Sequence, residues 1–137
     1  ISNNCIELST DSHGTFRIKT IVNSVLIIPF MVDTGATDVR VSPKVFLTLI
    51  EAGTISSGDM LPSQTYVLAD GSEVVNKRFI IRKLKIGKFI LTDVEASVGN
   101  TINSPMLLGQ NALSKLGVFT IDYEKNLICV KSRKVER

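Results

Sequence analysis

An aspartate that directly follows an apolar run is the residue in this sequence best placed to do chemistry. Residues 30–32 are Phe, Met and Val, and they lead into Asp33, Thr34, Gly35 and Ala36. A carboxylate at the end of a buried strand is costly unless hydrogen bonds or protonation compensate its charge. Gly35 allows a tight turn whose N–H can approach the carboxylate, and Thr34 supplies a hydroxyl that can brace the turn. Taken alone, the tripeptide also fits an Asx-type turn at the end of a strand.

Other catalytic and ligand-binding chemistries have little support in the sequence. His13 is the single histidine and lies in a polar turn, which disfavours a Ser-His-Asp or Cys-His catalytic unit. Gly53 and Gly58 have the spacing of a phosphate-binding loop, but Asp59 follows where that loop needs a lysine. Histidines, cysteines and carboxylates do not cluster along the chain, so we expect no metal and no cofactor.

Composition predicts one globular domain over residues 1–137. The hydrophobic share of 44% and the charged share of 21% exclude a disordered chain. The longest apolar run, residues 25–32, is too short to cross a bilayer. A membrane anchor outside this segment is left open, and no feature indicates a compartment. The net charge of +3 includes a basic C-terminal cluster that we interpret as solvated. The chain has no tryptophan and no interleaving of basic and aromatic residues, so we expect no nucleic-acid binding; a basic β-barrel that binds nucleic acid is the weaker alternative.

Two cysteines, Cys5 and Cys129, lie near opposite ends of the chain, each in an apolar segment. The favoured interpretation is a pair of buried free thiols. The alternative is a disulfide between two end strands, which requires that these strands pair and that the compartment is oxidising. Neither cysteine has a second Cys or His nearby, so a zinc site is not indicated.

Short β-type runs separated by turn signals dominate the chain. Asp70-Gly71 and Gly87-Lys88 are typical of hairpin turns, and Ser42-Pro43 is typical of a helix start, with Gly53 past the helix end. The predicted strands are 16–19, 25–32, 64–68, 73–81, 84–86, 89–91, 94–98, 118–123 and 127–131, and the predicted helices follow Ser42 and occupy 110–116. We expect the strand 25–32 to be covered on both faces because it is apolar throughout. Eight or nine short strands with one or two short helices predict an all-β barrel or sandwich.

The segment around Asp33 resembles the active-site motif of the retropepsin-like aspartic proteases, in which two hydrophobic residues precede Asp-Thr-Gly-Ala. Three further features match this family in order. A Ser-Pro element follows the motif, a hairpin lies where the family has its flap, and a hydrophobic-hydrophobic-Gly strand precedes the last helix. The flap residues are Tyr66, Ala69, Asp70 and Gly71, and the second-motif residues are Leu108, Gly109 and Gln110. The resemblance spans about residues 14–131, is closest in style to bacterial single-domain members, and implies a closed barrel.

This resemblance implies an aspartic endopeptidase that is active as a homodimer. The family's chemistry needs two carboxylates that share one proton, and the chain has one Asp-Thr-Gly, so each subunit would contribute one Asp33. The Gly35 N–H would keep the carboxylates coplanar, and Thr34 would brace the partner's loop across the two-fold axis. An extended peptide or protein would bind as an added strand beneath the flaps.

Two positions depart from the retroviral pattern, which has an Asp four residues after the catalytic one and an Arg after the second-motif glycine. Thr37 and Gln110 occupy these positions, and we predict that their side chains contact each other as neutral polar groups. The flap tip is also unusual because it has one glycine and an acid. These departures keep open an alternative function, a non-catalytic peptide-binding or dimerisation module with the same fold.

Overall fold

The computed structural model describes residues 4–131, which form an all-β architecture with two short α-helices. The strands are β1 (Cys5–Thr10), β2 (Phe16–Val22), β3 (Leu26–Val32), β4 (Val39–Val41), β5 (Met60–Val67), β6 (Glu73–Ile86), β7 (Phe89–Val98), β8 (Leu107–Leu108), β9 (Phe119–Asp122) and β10 (Leu127–Val130). The helices are α1 (Pro43–Glu51) and α2 (Gln110–Leu113). The predicted all-β fold with short helices is confirmed.

The sheet closes on itself through β6, which pairs with both β7 and β2. The resulting ring runs β2, β6, β7, β4, β8 and β3. Within it β3 and β8 are parallel, as are β4 and β7, while the remaining pairs are antiparallel. Closure of this ring encloses one hydrophobic core. Outside the ring, β5 extends from β6, and β1, β10 and β9 extend from β2.

Aliphatic and aromatic side chains from all sides of the ring fill the core. Phe30, Phe79 and Ile81 are fully buried there. Helix α1 covers one side of this core with Phe46, whose ring centroid lies 5.0 Å from that of Phe79. As predicted, Ser42 caps this helix, because its Oγ accepts a hydrogen bond from the Val45 N–H at 3.3 Å. This packing holds β3, the strand that leads into Asp33, in a fixed position.

The prediction that β3 is covered on both faces is wrong. Ile28 and Phe30 point into the core, whereas Ile27 is 61% exposed and Pro29 is also exposed. The side chains of a strand alternate between two faces, and no described element covers the outer face of β3. An apolar run therefore indicated the strand correctly but not the number of buried faces.

Two long strands replace several predicted short ones. Segments 73–81 and 84–86 are parts of β6, and segments 89–91 and 94–98 are parts of β7. Polar residues such as Lys83 and Thr92 interrupt the apolar pattern, but they pair with each other within the same ladder. The strand β4 was not predicted at all, because three residues carry too little pattern to be recognised.

A disulfide joins Cys5 to Cys129, so the favoured interpretation of two free thiols is wrong. The two cysteines are direct partners in the antiparallel pairing of β1 with β10. That pairing brings their side chains together, which is the condition that a disulfide between the end strands requires. No helix among residues 4–131 has the length and apolar character needed to cross a membrane.

Candidate active site

The Asp33 side chain is held by the turn that follows it. One carboxylate oxygen, Oδ1, accepts a hydrogen bond from the Gly35 N–H at 2.9 Å. The Ala36 N–H donates to the Asp33 carbonyl at 3.2 Å and closes the turn. Asp33 is half-buried, while Thr34 and Gly35 are exposed. The carboxylate is therefore oriented by the Gly35 N–H, as the sequence predicts, and it remains partly accessible.

Strand β8 brings the second motif against the turn formed by residues 33–36, the Asp33 turn. It lies between β3 and β4, with Val32 opposite Leu108 and Arg40 opposite Leu107. The Asp33 N–H donates to the Leu108 carbonyl at 3.1 Å. Two segments that are more than seventy residues apart in the sequence thus form one unit.

Gly109 passes so close to the Asp33 turn that a larger residue does not fit. A Cβ at this position would lie 2.3 Å from the Asp38 carbonyl oxygen and 2.8 Å from that of Ala36. The next N–H groups then bond the same loop, since Gln110 donates to the Ala36 carbonyl at 2.8 Å and Asn111 donates to the Thr37 carbonyl at 3.0 Å. The second motif therefore holds residues 33–38 in place through backbone hydrogen bonds and close backbone packing.

The predicted contact between the side chains of Thr37 and Gln110 is not formed. Gln110 Nε2 instead donates to the Thr34 carbonyl at 2.7 Å. Thr37 meets the second motif through its own carbonyl, which accepts from Asn111 N. The Gln110 side chain is uncharged and donates to a backbone carbonyl, so it needs no acidic partner. The lack of an acid at position 37 therefore leaves no charged group without a partner.

The predicted flap residues lie on the hairpin formed by β5 and β6. Its tip is closed by hydrogen bonds from the Leu68 N–H to Ser72 O at 2.8 Å and from the Gly71 N–H to Leu68 O at 2.9 Å. Asp70 Oδ1 accepts from the hydroxyl and the N–H of Ser72, and these two bonds lower the pKa of Asp70. Ala69 is exposed. The tip therefore has a defined turn although it contains a single glycine.

Tyr66, by contrast, lies on β5 below the tip and is half-buried. Its hydroxyl donates to Gln64 Oε1 at 3.3 Å. Among residues 4–131, no hydrogen bond joins this hairpin to the Asp33 turn.

A polar cavity of about 340 Å³ lies beside the turn, and its residues were not identified from the sequence as site residues. Asp38 and Arg78 line it, together with Asn111, whose Oδ1 is buried without a hydrogen-bond partner. Burial raises the pKa of Asp38, and the nearby Arg40 and Arg78 oppose that rise. Asp38 lies five residues after Asp33 on the same loop, and that proximity is the sequence signal that could have identified it.

Comparison with known proteins assigns the chain to a family. Residues 18–115 match the family described as "gag-polyprotein putative aspartyl protease". The chain belongs to the retropepsin-like aspartic protease family. A crystal structure of a retropepsin-like aspartic protease from Rickettsia conorii is similar, with a TM-score of 0.67 and 28% identity over 90% of this chain and 87% of that chain. No curated protein matches the sequence.

The retropepsin-like assignment agrees with the geometry around Asp33. The matched residues 18–115 include the Asp33 turn, the β5–β6 hairpin and the second motif. Across residues 4–131, no three His, Cys, Asp or Glu side chains come close enough together to hold a metal ion.

The Gln110 amide gives a first testable consequence for this retropepsin-like site. Gln110→Glu should lower the free energy of unfolding more than Gln110→Ala, because a carboxylate would face the Thr34 carbonyl in place of a donor. Loss of the hydrogen bond alone costs about 0.5–1.5 kcal/mol. Chemical denaturation of both variants at neutral pH measures the difference.

Gln64→Glu is the matched control, since Gln64 uses its acceptor oxygen and a carboxylate preserves that role. It adds the same charge and should change stability by no more than about 0.5 kcal/mol. Equal stability of Gln110→Glu and Gln64→Glu would contradict the assigned bond.

Proposed function

We propose that this chain is an aspartic endopeptidase that hydrolyses peptide bonds as a homodimer. The observation that carries the proposal is the accessible Asp33 carboxylate, oriented by the Gly35 N–H at the end of a barrel strand. The family assignment supports an aspartic peptidase. The dimer follows from chemistry, because one chain supplies one Asp-Thr-Gly and the reaction needs two carboxylates.

In the proposed mechanism, the two Asp33 carboxyl groups share one proton and hold a water molecule between them. The ionised group takes a proton from the water, whose oxygen attacks the scissile carbonyl carbon. The protonated group donates a hydrogen bond to the carbonyl oxygen as negative charge develops there. Transfer of a proton to the amide nitrogen then allows the C–N bond to break, which yields a carboxyl and an amine terminus.

The residues next to Asp33 support this chemistry in the proposal. Gly35 fixes the carboxylate through its N–H, and the turn is closed at Ala36. Thr34, which is exposed, would contact the partner's loop across the two-fold axis. Leu108 and Gln110 hold the turn from the other side through backbone and amide hydrogen bonds, and Gly109 packs directly against its backbone. Carboxyl groups that are already held in position need little reorganisation when the transition state forms. This preorganisation is a main contribution to the rate enhancement of enzymes.

The proposed substrate is an extended segment of a peptide or protein. Such a segment can bind as an additional strand, with its backbone paired and its alternate side chains in pockets. The β5–β6 hairpin, with Tyr66 and the tip residues 69–71, would close over it as the flap. Val67 is 70% exposed and Leu68 is 48% exposed, so the hairpin presents apolar side chains that a bound peptide could cover.

The test of this function is the dependence of peptide cleavage on protein concentration. Below the dissociation constant of the dimer, the rate should rise with the square of the chain concentration, since two chains build one site. Cleavage of an unfolded protein substrate is followed by mass spectrometry, and the oligomeric state is followed by sedimentation over the same range. A rate that stays proportional to concentration while the chain is monomeric would contradict the dyad. Peptide binding without cleavage by a dimer would support the non-catalytic module.

The pH dependence of cleavage is a second expected result. The rate should follow a bell-shaped curve centred on the acid side of neutrality, because the dyad works with one proton and fails with none or two. Steady-state rates from about pH 3 to pH 9 measure the curve, and a chelator should leave it unchanged. A rate that still rises above about pH 8 would indicate a different catalytic unit.

A further inference from the structure

A groove of about 330 Å³ lies beside the first half of β7, lined by the end of β10 and the turn after α2. We call it the β7 groove. Phe89, Ile90 and Leu91 line one side, and no residue of the Asp33 turn or the β5–β6 hairpin contributes to it. It is therefore a surface separate from the proposed cleft, and a ligand could bind there whether or not the chain cleaves peptides.

The β7 groove follows the edge of a strand. Successive side chains of a strand point to opposite faces, and three consecutive residues line the β7 groove, as expected for a groove along a strand edge. One edge of β7 is occupied by β6 from Phe89 onward. On the other edge, β4 pairs only with Ala96–Val98, and no described strand pairs with residues 89–91. Backbone N–H and C=O groups on this edge can therefore accept an added strand.

Three lysines give the β7 groove a positive rim. Lys88, Lys115 and Lys131 line it and are exposed, and no carboxylate is among the lining residues. None of the three forms an ion pair with a residue between 4 and 131. Leu116 and Val130 contribute apolar surface beneath them. An open strand edge with a basic rim and an apolar floor fits an extended peptide in which acidic and apolar residues alternate.

We propose that the β7 groove is a docking site that binds an extended acidic segment of a partner protein as an added strand. Charge argues against the other candidate occupants. Residues 132–137 of the chain itself carry three basic residues and one acid. A second copy that packs groove to groove is also a poor match, because the three rim lysines of the two copies would face one another.

The probe is a fluorescent peptide of about ten residues that alternates Glu with Val. Its binding to the Asp33→Asn variant, which should not cleave it, is measured by fluorescence anisotropy. We expect saturable binding that weakens as the salt concentration rises from about 50 to about 500 mM. The same peptide N-methylated at alternate residues should not bind, because it cannot pair with the strand edge. A peptide with Lys in place of Glu should not bind either.

A charge-reversal variant with a matched control locates the site. Replacing Lys88, Lys115 and Lys131 with Glu should weaken binding at least about tenfold. Replacing Lys19, Lys44 and Lys125 with Glu gives the same change in net charge on exposed lysines outside the β7 groove, and should change binding less than about twofold. Amide signals of residues 89–92 should shift in NMR spectra on peptide addition, while those of residues 34–36 should not.

Four results would overturn the proposal. The first is absence of binding up to about 1 mM peptide. The second is an equal loss of binding in the two triple variants, which would indicate a general charge effect. The third is a shift of signals 34–36 in place of 89–92, which would place the peptide in the cleft. The fourth is tighter binding of a single-stranded oligonucleotide than of the peptide at the same three lysines, which would identify nucleic acid as the occupant.

Discussion

Asp33→Asn should abolish peptide hydrolysis while the chain remains folded. The amide oxygen can still accept the hydrogen bond from the Gly35 N–H, so the turn keeps its geometry. The amide cannot take a proton from water or return one to the leaving amine. General acid–base catalysis contributes about 10²–10⁴-fold to a rate, and we expect a loss at or above the upper end, because both members of the dyad change at once. Cleavage rates and circular dichroism spectra of the purified variant measure activity and fold.

The matched control is Asp122→Asn. Asp122 Oδ1 accepts hydrogen bonds from the N–H groups of Glu124 and Lys125, and an Asn retains that acceptor. This variant removes the same charge in a turn far along the chain, so its activity should match that of the unmodified protein. Cleavage by Asp33→Asn at a rate within about tenfold of the Asp122→Asn rate would contradict the catalytic role of Asp33.

Gly109→Ala should cause the largest loss of stability among conservative single changes near the site. Its Cβ would overlap the carbonyl oxygens of Asp38 and Ala36, and both belong to backbone that cannot rotate away. Overpacking of a core typically costs about 1–3 kcal/mol, and we expect about 3 kcal/mol or more here because the clash involves backbone on two sides. This is a large part of the roughly 5–15 kcal/mol that stabilises a native domain. Chemical denaturation measures the change.

Gly58→Ala is the control for that substitution. An added Cβ at Gly58 would meet nothing closer than Ser56 Oγ at 3.8 Å. The free energy of unfolding should therefore change by no more than about 0.5 kcal/mol. Similar stabilities of the two variants would mean that the second motif does not lie in close contact with the Asp33 turn.

Features that depend on neighbouring residues were predicted well from the sequence. The bond from Gly35 to Asp33 spans two positions, and the hairpin turns at Asp70-Gly71 and Gly87-Lys88 are set by local backbone preferences. The cap of α1 by Ser42 is equally local. In each case the residues that determine the geometry are adjacent in the chain, so their pattern is visible without the fold.

Features that depend on distant partners were predicted poorly. The Gln110 amide donates to the Thr34 carbonyl because the path of the loop brings that carbonyl within reach. The residue types at positions 37 and 110 do not reveal the path of the loop, so the sequence predicted the wrong partner. The exposed outer face of β3 depends on the absence of a covering layer, and the apolar residues there do not reveal it. The cavity beside Asp38 is lined by one loop, by strands β5, β6 and β7, and by α2 and the turn after it, so no single stretch of sequence indicates it.

The Cys5–Cys129 bond turns nearly the whole described chain into a covalent ring, with a sequence separation of 124 between its two ends. A protease commonly cuts exposed loops, and the tip of the β5–β6 hairpin at residues 69–71 lies inside this ring. A single cut there opens the ring but leaves both pieces attached through the disulfide. The nicked molecule keeps its mass apart from one added water, and the covalent link between its two pieces is broken only by reduction of the disulfide.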